Sequence, residues 1–277
     1  MEKIIYEDDE LRVIYSARSS KELVITFGNL NNLAEGMDYF GKKPLAKLNY
    51  ASIGFMSKHC SWFPQSNMLQ CIAAIQKWLQ PYDKKVVYGG SMGGYAAVKY
   101  SRALGADFVL SMCPQWSIDP SECDGWNPGW QEHFTPSMRN MGIRPQDIGG
   151  KVYVFCDFHH PLDKKHAFLI AQQDPCVRLI NVPFSKHHVT TVLAGTANLQ
   201  ALVRACLHND ELLLHQTNRL ARRKSDFSIK NALKASANKT PNHFLAYMSK
   251  KENRYLFKKK PVFIALYLQS LLRKKVF

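Results

Sequence analysis

The string Tyr88-Gly89-Gly90-Ser91-Met92-Gly93-Gly94 sets one serine among small residues, between an apolar β-branched run at 85–88 and the helix-forming run Tyr95-Ala96-Ala97-Val98. A serine at the apex of a sharp strand-to-helix turn exposes its hydroxyl, and the helix start beyond it offers free N–H groups toward developing negative charge. The bend leaves no room for side chains beside it, which is a reason for glycine on either side. Such a hydroxyl attacks a carbonyl carbon once an imidazole takes its proton, so the chemistry implied is acyl transfer, to water or to another hydroxyl. A small-residue turn that holds a serine by chance is the bland alternative; the strand before it and the helix after it argue against that.

The elements that must position this turn are legible around it. Short β-branched or aromatic runs at 3–6, 11–15, 23–27, 51–55, 85–88, 107–112, 152–156 and 177–182 are eight candidate strands. The first two are joined by Glu7-Asp8-Asp9-Glu10, too short for a crossover, so they are expected to pair as an antiparallel hairpin. Helices are expected over 67–79 with Ser66 as N-cap, 94–104, 164–172 with Asp163 as N-cap, and 191–207. Strands alternating with helices imply a mostly parallel sheet covered on both faces. Between Cys113 and Gly150 the pattern breaks into Pro, Gly, Trp and acidic residues, which reads as a small lid inserted over about 114–150.

With the serine after the fifth of eight strands, the chain resembles the α/β-hydrolase superfamily over roughly 1–207. The string Tyr-Gly-Gly-Ser-Met-Gly-Gly-Tyr-Ala-Ala is also similar to bacterial members linked to surface-glycan modification. The resemblance implies an acid after strand seven, a histidine after strand eight, and an oxyanion hole built from the N–H following the nucleophile and one from the loop after strand three. That makes Ser91 the nucleophile and Met92 one oxyanion donor. The loop Phe27-Gly28-Asn29 supplies the other, with Asn29 as donor and Gly28 allowing close approach. After strand eight stand His187 and His188; the first is expected to be the base, the second is its reserve. After strand seven Asp157 and Asp163 compete, and Asp163 is favoured because it approaches the histidine loop more freely, although it would serve equally as a plain helix cap. A rival reading makes Asp157, His159, His160, Asp163 and His166 metal ligands; no spacing fixes a geometry for them, and the expectation is no metal and no cofactor.

Trp62, after strand four, and Trp116, Trp126, Trp130 and Phe134, in the lid, are aromatic side chains that either anchor the lid or line a substrate site; Trp62 is the candidate substrate contact.

Composition bounds the rest. The 277 residues are 46% hydrophobic, enough for one sizeable core. Seven cysteines without a CxxC pair suit reduced thiols in the cytoplasm. No Lys/Arg-led apolar run opens the chain, so no signal peptide is expected. Most of the formal charge of +15 sits at one end: residues 201–277 carry 17 Lys/Arg against 4 Asp/Glu, while residues 1–200 carry 20 against 18. The resemblance and its strand pattern imply a hydrolase domain over 1–207, and the charge shift marks the remainder, 208–277, as a basic helical extension. Within the extension, an apolar run from Pro261 to Leu272 fenced by lysines is too short to span a bilayer but suits an anionic membrane surface or a protein partner. No recognisable nucleic-acid module accompanies the charge. Three functions are compatible with these residues: a serine hydrolase acting on an ester such as a glycan O-acetyl group, an O-acyltransferase using the same triad, and a non-catalytic membrane-surface adaptor on a hydrolase scaffold. An intact Ser91 and His187 argue against the third.

Overall fold

The structure, a computed structural model, describes residues 2–250, 257 and 262–274. All eight expected strands form: β1 (Glu2–Glu7), β2 (Leu11–Ser16), β3 (Glu22–Phe27), β4 (Ala51–Ser57), β5 (Lys84–Gly90), β6 (Phe108–Met112), β7 (Lys151–Cys156) and β8 (Val177–Asn181). They build one sheet in the order β1-β2-β4-β3-β5-β6-β7-β8. β2 pairs antiparallel with both β1 and β4, and every later pairing is parallel. This is the α/β-hydrolase fold, with the Ser91 turn after the fifth strand.

The central strands are buried along almost their whole length because helices cover both faces, and their sequences are accordingly continuous apolar runs rather than alternating ones. Phe27 stacks on Phe55 with ring centroids 4.9 Å apart and meets Phe63 edge-on at 5.2 Å. Aromatic pairs of this kind add about 0.5–1.5 kcal/mol each beyond their area. They fix the ends of β3 and β4, from which two loops rise toward Ser91.

The helices depart from the expected boundaries in ways that matter for the site. A short α1 (Lys42–Lys47) precedes β4. The helix expected over 67–79 starts at Gln65 after Pro64, not after a Ser66 cap, and breaks at Ile75 into α2 (Gln65–Ala74) and α3 (Gln76–Leu79). Helix α4 (Met92–Lys99) begins directly after Ser91 rather than at Gly94, and all its residues are buried. Helix α5 (Pro161–Ala171) opens on Pro161, whose fixed φ and missing N–H suit a first helical position. Its N-cap is therefore His160, not Asp163, which lies inside the first turn. The helix expected over 191–207 is split into α6 (Val189–Val192) and α7 (Thr196–Leu207) at Gly195, whose φ of 114° no helix admits.

Residues 114–150 contain no α-helix, only four single 3₁₀ turns. The segment is nevertheless pinned to the body by buried polar groups. Tyr95 Oη donates to Met141 O at 2.7 Å. The buried ammonium of Lys99 donates to Gly142 O at 3.0 Å and pairs with Asp147 at 2.8 Å. His166 accepts from the Trp116 N–H at 3.0 Å and, through its other nitrogen, donates to Pro128 O at 2.9 Å.

The chain divides into two compact units, 1–221 and 222–277. The division falls after most of α8 (Glu211–Lys224), one helix beyond the boundary expected at 207. The beginning of α8 belongs with the sheet: Glu211 pairs with Lys151 at 2.6 Å, and Asn218 Nδ2 donates to Asn181 O at 2.9 Å. In the second unit, α9 (Asp226–Lys239), α10 (Pro241–Ser249) and α11 (Val262–Lys274) share a small core of Leu233, Ala237, Phe244, Met248 and Phe263. Lys251, Lys258, Lys259, Lys260, Pro261 and Lys275 of the basic run lie outside the described residues. No helix among the described residues is long and apolar enough to cross a membrane.

Candidate active site

Ser91 sits between β5 and α4 with φ 54° and ψ −120°, a strained conformation for a residue with a side chain. The turn is held by the Ser91 N–H, which donates to Met112 O at 2.8 Å. It is also held by close packing that only glycine permits. A Cβ on Gly93 would lie 2.6 Å from the carbonyl oxygens of both Phe27 and Gly28, and one on Gly90 would collide with Cγ2 of Thr190. Gly93 thus brings the loop after β3 against α4, while Gly90 admits the segment that follows the loop carrying His187.

The loop that carries His187 is tied down by hydrogen bonds. The Lys186 N–H donates to Asp157 Oδ2 at 2.8 Å, and Ser185 Oγ donates to Val182 O at 2.7 Å. His187 then projects so that Nε2 lies 2.9 Å from Ser91 Oγ and Nδ1 lies 2.8 Å from Asp163 Oδ1. A carboxylate facing Nδ1 requires the proton there, which leaves Nε2 as acceptor for the serine hydroxyl. Trp130 covers the ring at a centroid distance of 4.6 Å. His188 is exposed and precedes α6.

Asp163 and Asp157 are both about 1% exposed, but they face different partners. Asp163 meets His187, and its Oδ1 also lies 3.2 Å from His160 Nδ1. Burial pushes the Asp163 carboxyl up, yet the hydrogen bonds from His160 and His187 outweigh it and hold its pKa below the ordinary value. The same contact raises the pKa of His160 against the opposing effect of desolvation. Asp157 instead accepts from the Lys186 N–H and from the backbone and ring of His159, so it organises the loop that carries His187.

The Met92 N–H is the first of α4 and has no acceptor within the helix. The Gly28 N–H is not free to serve as a second donor, because it extends the β3–β4 ladder by donating to Phe55 O at 2.9 Å; Gly28 contributes closeness, its carbonyl lying against Gly93. Asn29 accepts at its carbonyl from the Asn32 N–H and at Oδ1 from the Asn31 N–H, while its own N–H makes no hydrogen bond among the described residues. Trp62 is only 1% exposed, so its ring offers no open stacking face. Its indole N–H donates to Gln115 Oε1 at 3.1 Å, and Gln115 Nε2 donates to Ser91 Oγ at 3.4 Å. Gln115 carried no signal in the sequence. Of the aromatic residues singled out in the segment 114–150, Trp126, Trp130 and Phe134 are half-buried and keep exposed surface.

The rival metal ligands meet only in pairs, His159 with Asp157 and His160 with Asp163, and no three of them converge among the described residues. Both nitrogens of His166 are committed to Trp116 and Pro128, and burial pushes its pKa down to about 4. Among the described residues, the group whose ligand atoms lie within 4.8 Å of one another is Cys113, Asp163 and His187, two of which already belong to the hydrogen-bonded chain on Ser91. A cavity of about 670 Å³ is lined by Leu30, Asn31, Asn32 and Leu33, and another of about 230 Å³ by Tyr88 and Thr190; neither is lined by Ser91, His187 or Asp163.

No protein-family model matches the chain, and no curated protein matches it in sequence. Among solved structures it is similar to the capsule O-acetyltransferase of Neisseria meningitidis serogroup A, at 12% identity and a TM-score of 0.52 over 73% of this chain and 93% of that one. It is also similar to the Pyrococcus furiosus esterase Pf2001, at 14% identity and 0.49 over 76% and 91%, and to Est1E from Butyrivibrio proteoclasticus, at 12% and 0.49 over 75% and 99%. At such identities the likeness is one of fold.

Proposed function

We propose that the chain is a serine esterase or acyltransferase working through Ser91, His187 and Asp163. The observation that carries this reading is the unbroken chain from the Asp163 carboxylate through His187 to Ser91 Oγ, at 2.8 and 2.9 Å, on a strained turn at a helix start. His187 Nε2 takes the hydroxyl proton as Oγ bonds to the ester carbonyl carbon, and the carbonyl π pair moves onto its oxygen. The Met92 N–H, with the Asn29 N–H as second donor, stabilises that charge. As the pair returns, the C–O bond to the leaving alcohol breaks, and His187 gives the alcohol the proton. Water, or a second hydroxyl, repeats the steps in reverse to release the acyl group from Ser91.

A glycan O-acetyl group is the substrate we would test first: the half-buried lid aromatics suit the apolar face of a sugar ring, and a capsule O-acetyltransferase has a similar fold. The charge of the second unit supports a peripheral site at an anionic, cytoplasmic membrane face. A fluorophosphonate probe tests the core of the reading. Labelling of the wild type that disappears in Ser91→Ala is expected, and a folded wild type that never labels favours the adaptor. Acetyl release measured with and without a glycan acceptor then separates hydrolysis from transfer.

A further inference from the structure

We propose that Gln115 is a further catalytic residue, whose side-chain amide, locked in orientation by Trp62, donates hydrogen bonds to the charge that develops at the reacting centre. The inference rests on the Ser91 mechanism above and adds a donor to it that comes from neither the helix start nor the loop after β3.

The orientation of the amide follows from donor chemistry alone. An indole N–H only donates, so the Gln115 atom 3.1 Å from Trp62 Nε1 is the oxygen. The NH₂ end is thereby turned toward Ser91 Oγ, at 3.4 Å. That distance is long for the resting enzyme, and catalytic hydrogen bonds in unliganded sites commonly tighten only as charge appears. When Oγ bonds to the substrate carbon, Oγ and the oxyanion are carried by one tetrahedral carbon. An NH₂ group has two N–H bonds, so one amide can serve both oxygens.

The backbone around Gln115 is fixed on either side. The Cys113 N–H donates to Phe155 O at 2.7 Å, and the Trp116 N–H donates to His166 Nδ1 at 3.0 Å. Gln115 and Trp62 are each about 1% exposed. A buried, pre-aimed dipole needs no reorganisation when the charge forms, and it acts where water does not screen it. A glutamine used only for packing would not require its oxygen to be claimed by an indole and its nitrogen to face the nucleophile. No bond to Gln115 forms or breaks: the proton still passes from Oγ to His187, and the electron pair still moves onto the carbonyl oxygen.

The test is the acylation burst of the full chain with p-nitrophenyl acetate, alongside fluorophosphonate labelling and thermal melting. Gln115→Met removes both N–H donors at similar volume, and Gln115→Glu keeps the acceptor for Trp62 but places a carboxylate at the nucleophile. Loss of one oxyanion-hole donor typically costs about 10²–10³-fold. The burst rate is expected to fall about 30-fold or more in Gln115→Met and further in Gln115→Glu, with melting temperatures near that of the wild type. Trp62→Phe, which frees the amide to rotate, is expected to lose less, about tenfold; it also decides the matter should the Gln115 variants fail to fold. A burst within threefold of wild type in folded Gln115→Met, or in Trp62→Phe if only that variant folds, overturns the proposal while leaving the Ser91 mechanism intact. A folded wild type that neither labels nor shows a burst overturns both.

Discussion

Asp163 reaches His187 Nδ1 at 2.8 Å from the first turn of α5, whereas the nearby Asp157 holds the backbone of the loop that carries the same histidine. One carboxylate contacts the ring and the other positions it. Asp163→Asn should leave the fold in place but favour the wrong imidazole tautomer, lowering kcat by about 10⁴-fold. Asp157→Asn should cost chiefly stability, because a buried acceptor of the Lys186 N–H is weakened, with a much smaller effect on kcat. Steady-state rates with melting curves for both variants decide the assignment; equal losses of kcat would reverse it.

The turn at Ser91 makes a second, purely steric prediction. Gly90→Ala places a methyl into Cγ2 of Thr190, and overpacking of this kind typically costs about 1–3 kcal/mol. Thr190→Ser removes that atom. The double variant Gly90→Ala with Thr190→Ser should therefore recover most of the stability and activity lost in Gly90→Ala, a coupling readable in a double-mutant cycle of denaturation midpoints. Additive losses would show that the clash is elsewhere.

His166 gives the protein an acid-sensitive anchor. Its pKa is about 4 in the folded protein, from an ordinary 6.5, because burial disfavours the charged ring. The unfolded chain therefore binds the proton first, and stability contributed by neutral His166 is present above about pH 6.5 and is lost as pH falls toward 4, by on the order of 3 kcal/mol. Asp163, with its lowered pKa, adds a loss only at lower pH, as its carboxylate protonates. His160, whose pKa is raised, works in the opposite sense: its contribution is complete below its unfolded value and fades as pH rises through the folded one. Melting temperatures between pH 7 and 4 should fall more steeply for the wild type than for His166→Gln, which keeps an acceptor for Trp116 and a donor for Pro128. Parallel slopes would remove His166 from the account.

The strands were legible because buried parallel strands are short continuous apolar runs, and the serine turn because its glycines answer to backbone approach. The local reading of α5 failed for an identifiable reason: Pro161 at the first helical position was a stronger start signal than Asp163, and it moved that aspartate from cap to interior. The breaks at Ile75 and Gly195 were hidden inside otherwise helical patterns. Gln115 was invisible for a different reason. Its significance comes from Trp62 and Ser91, which approach from the far side of β3 and from β5, and a contact between residues so distant in sequence leaves no mark on local periodicity.

The second unit carries the last prediction. On α11, Phe263 and Ser270 are buried, while Ile264, Leu268 and Leu271 are 46%, 55% and 37% exposed and follow one another at the four- and three-residue spacing of a single helix face. That face lies in a segment of the chain with 17 cationic against 4 anionic residues. An apolar stripe in a cationic setting fits the interfacial region of an anionic bilayer, where each basic residue near the surface adds about 1 kcal/mol and the attraction weakens with salt. The full chain should co-sediment with phosphatidylglycerol-containing vesicles and not with neutral phosphatidylcholine ones. Raising the ionic strength should release it, and Ile264→Glu with Leu268→Glu should weaken binding at low salt as well, since these substitutions remove the apolar contribution that salt leaves untouched. Binding that ignores lipid charge, or that survives the paired glutamates unchanged, would show that this face has another use.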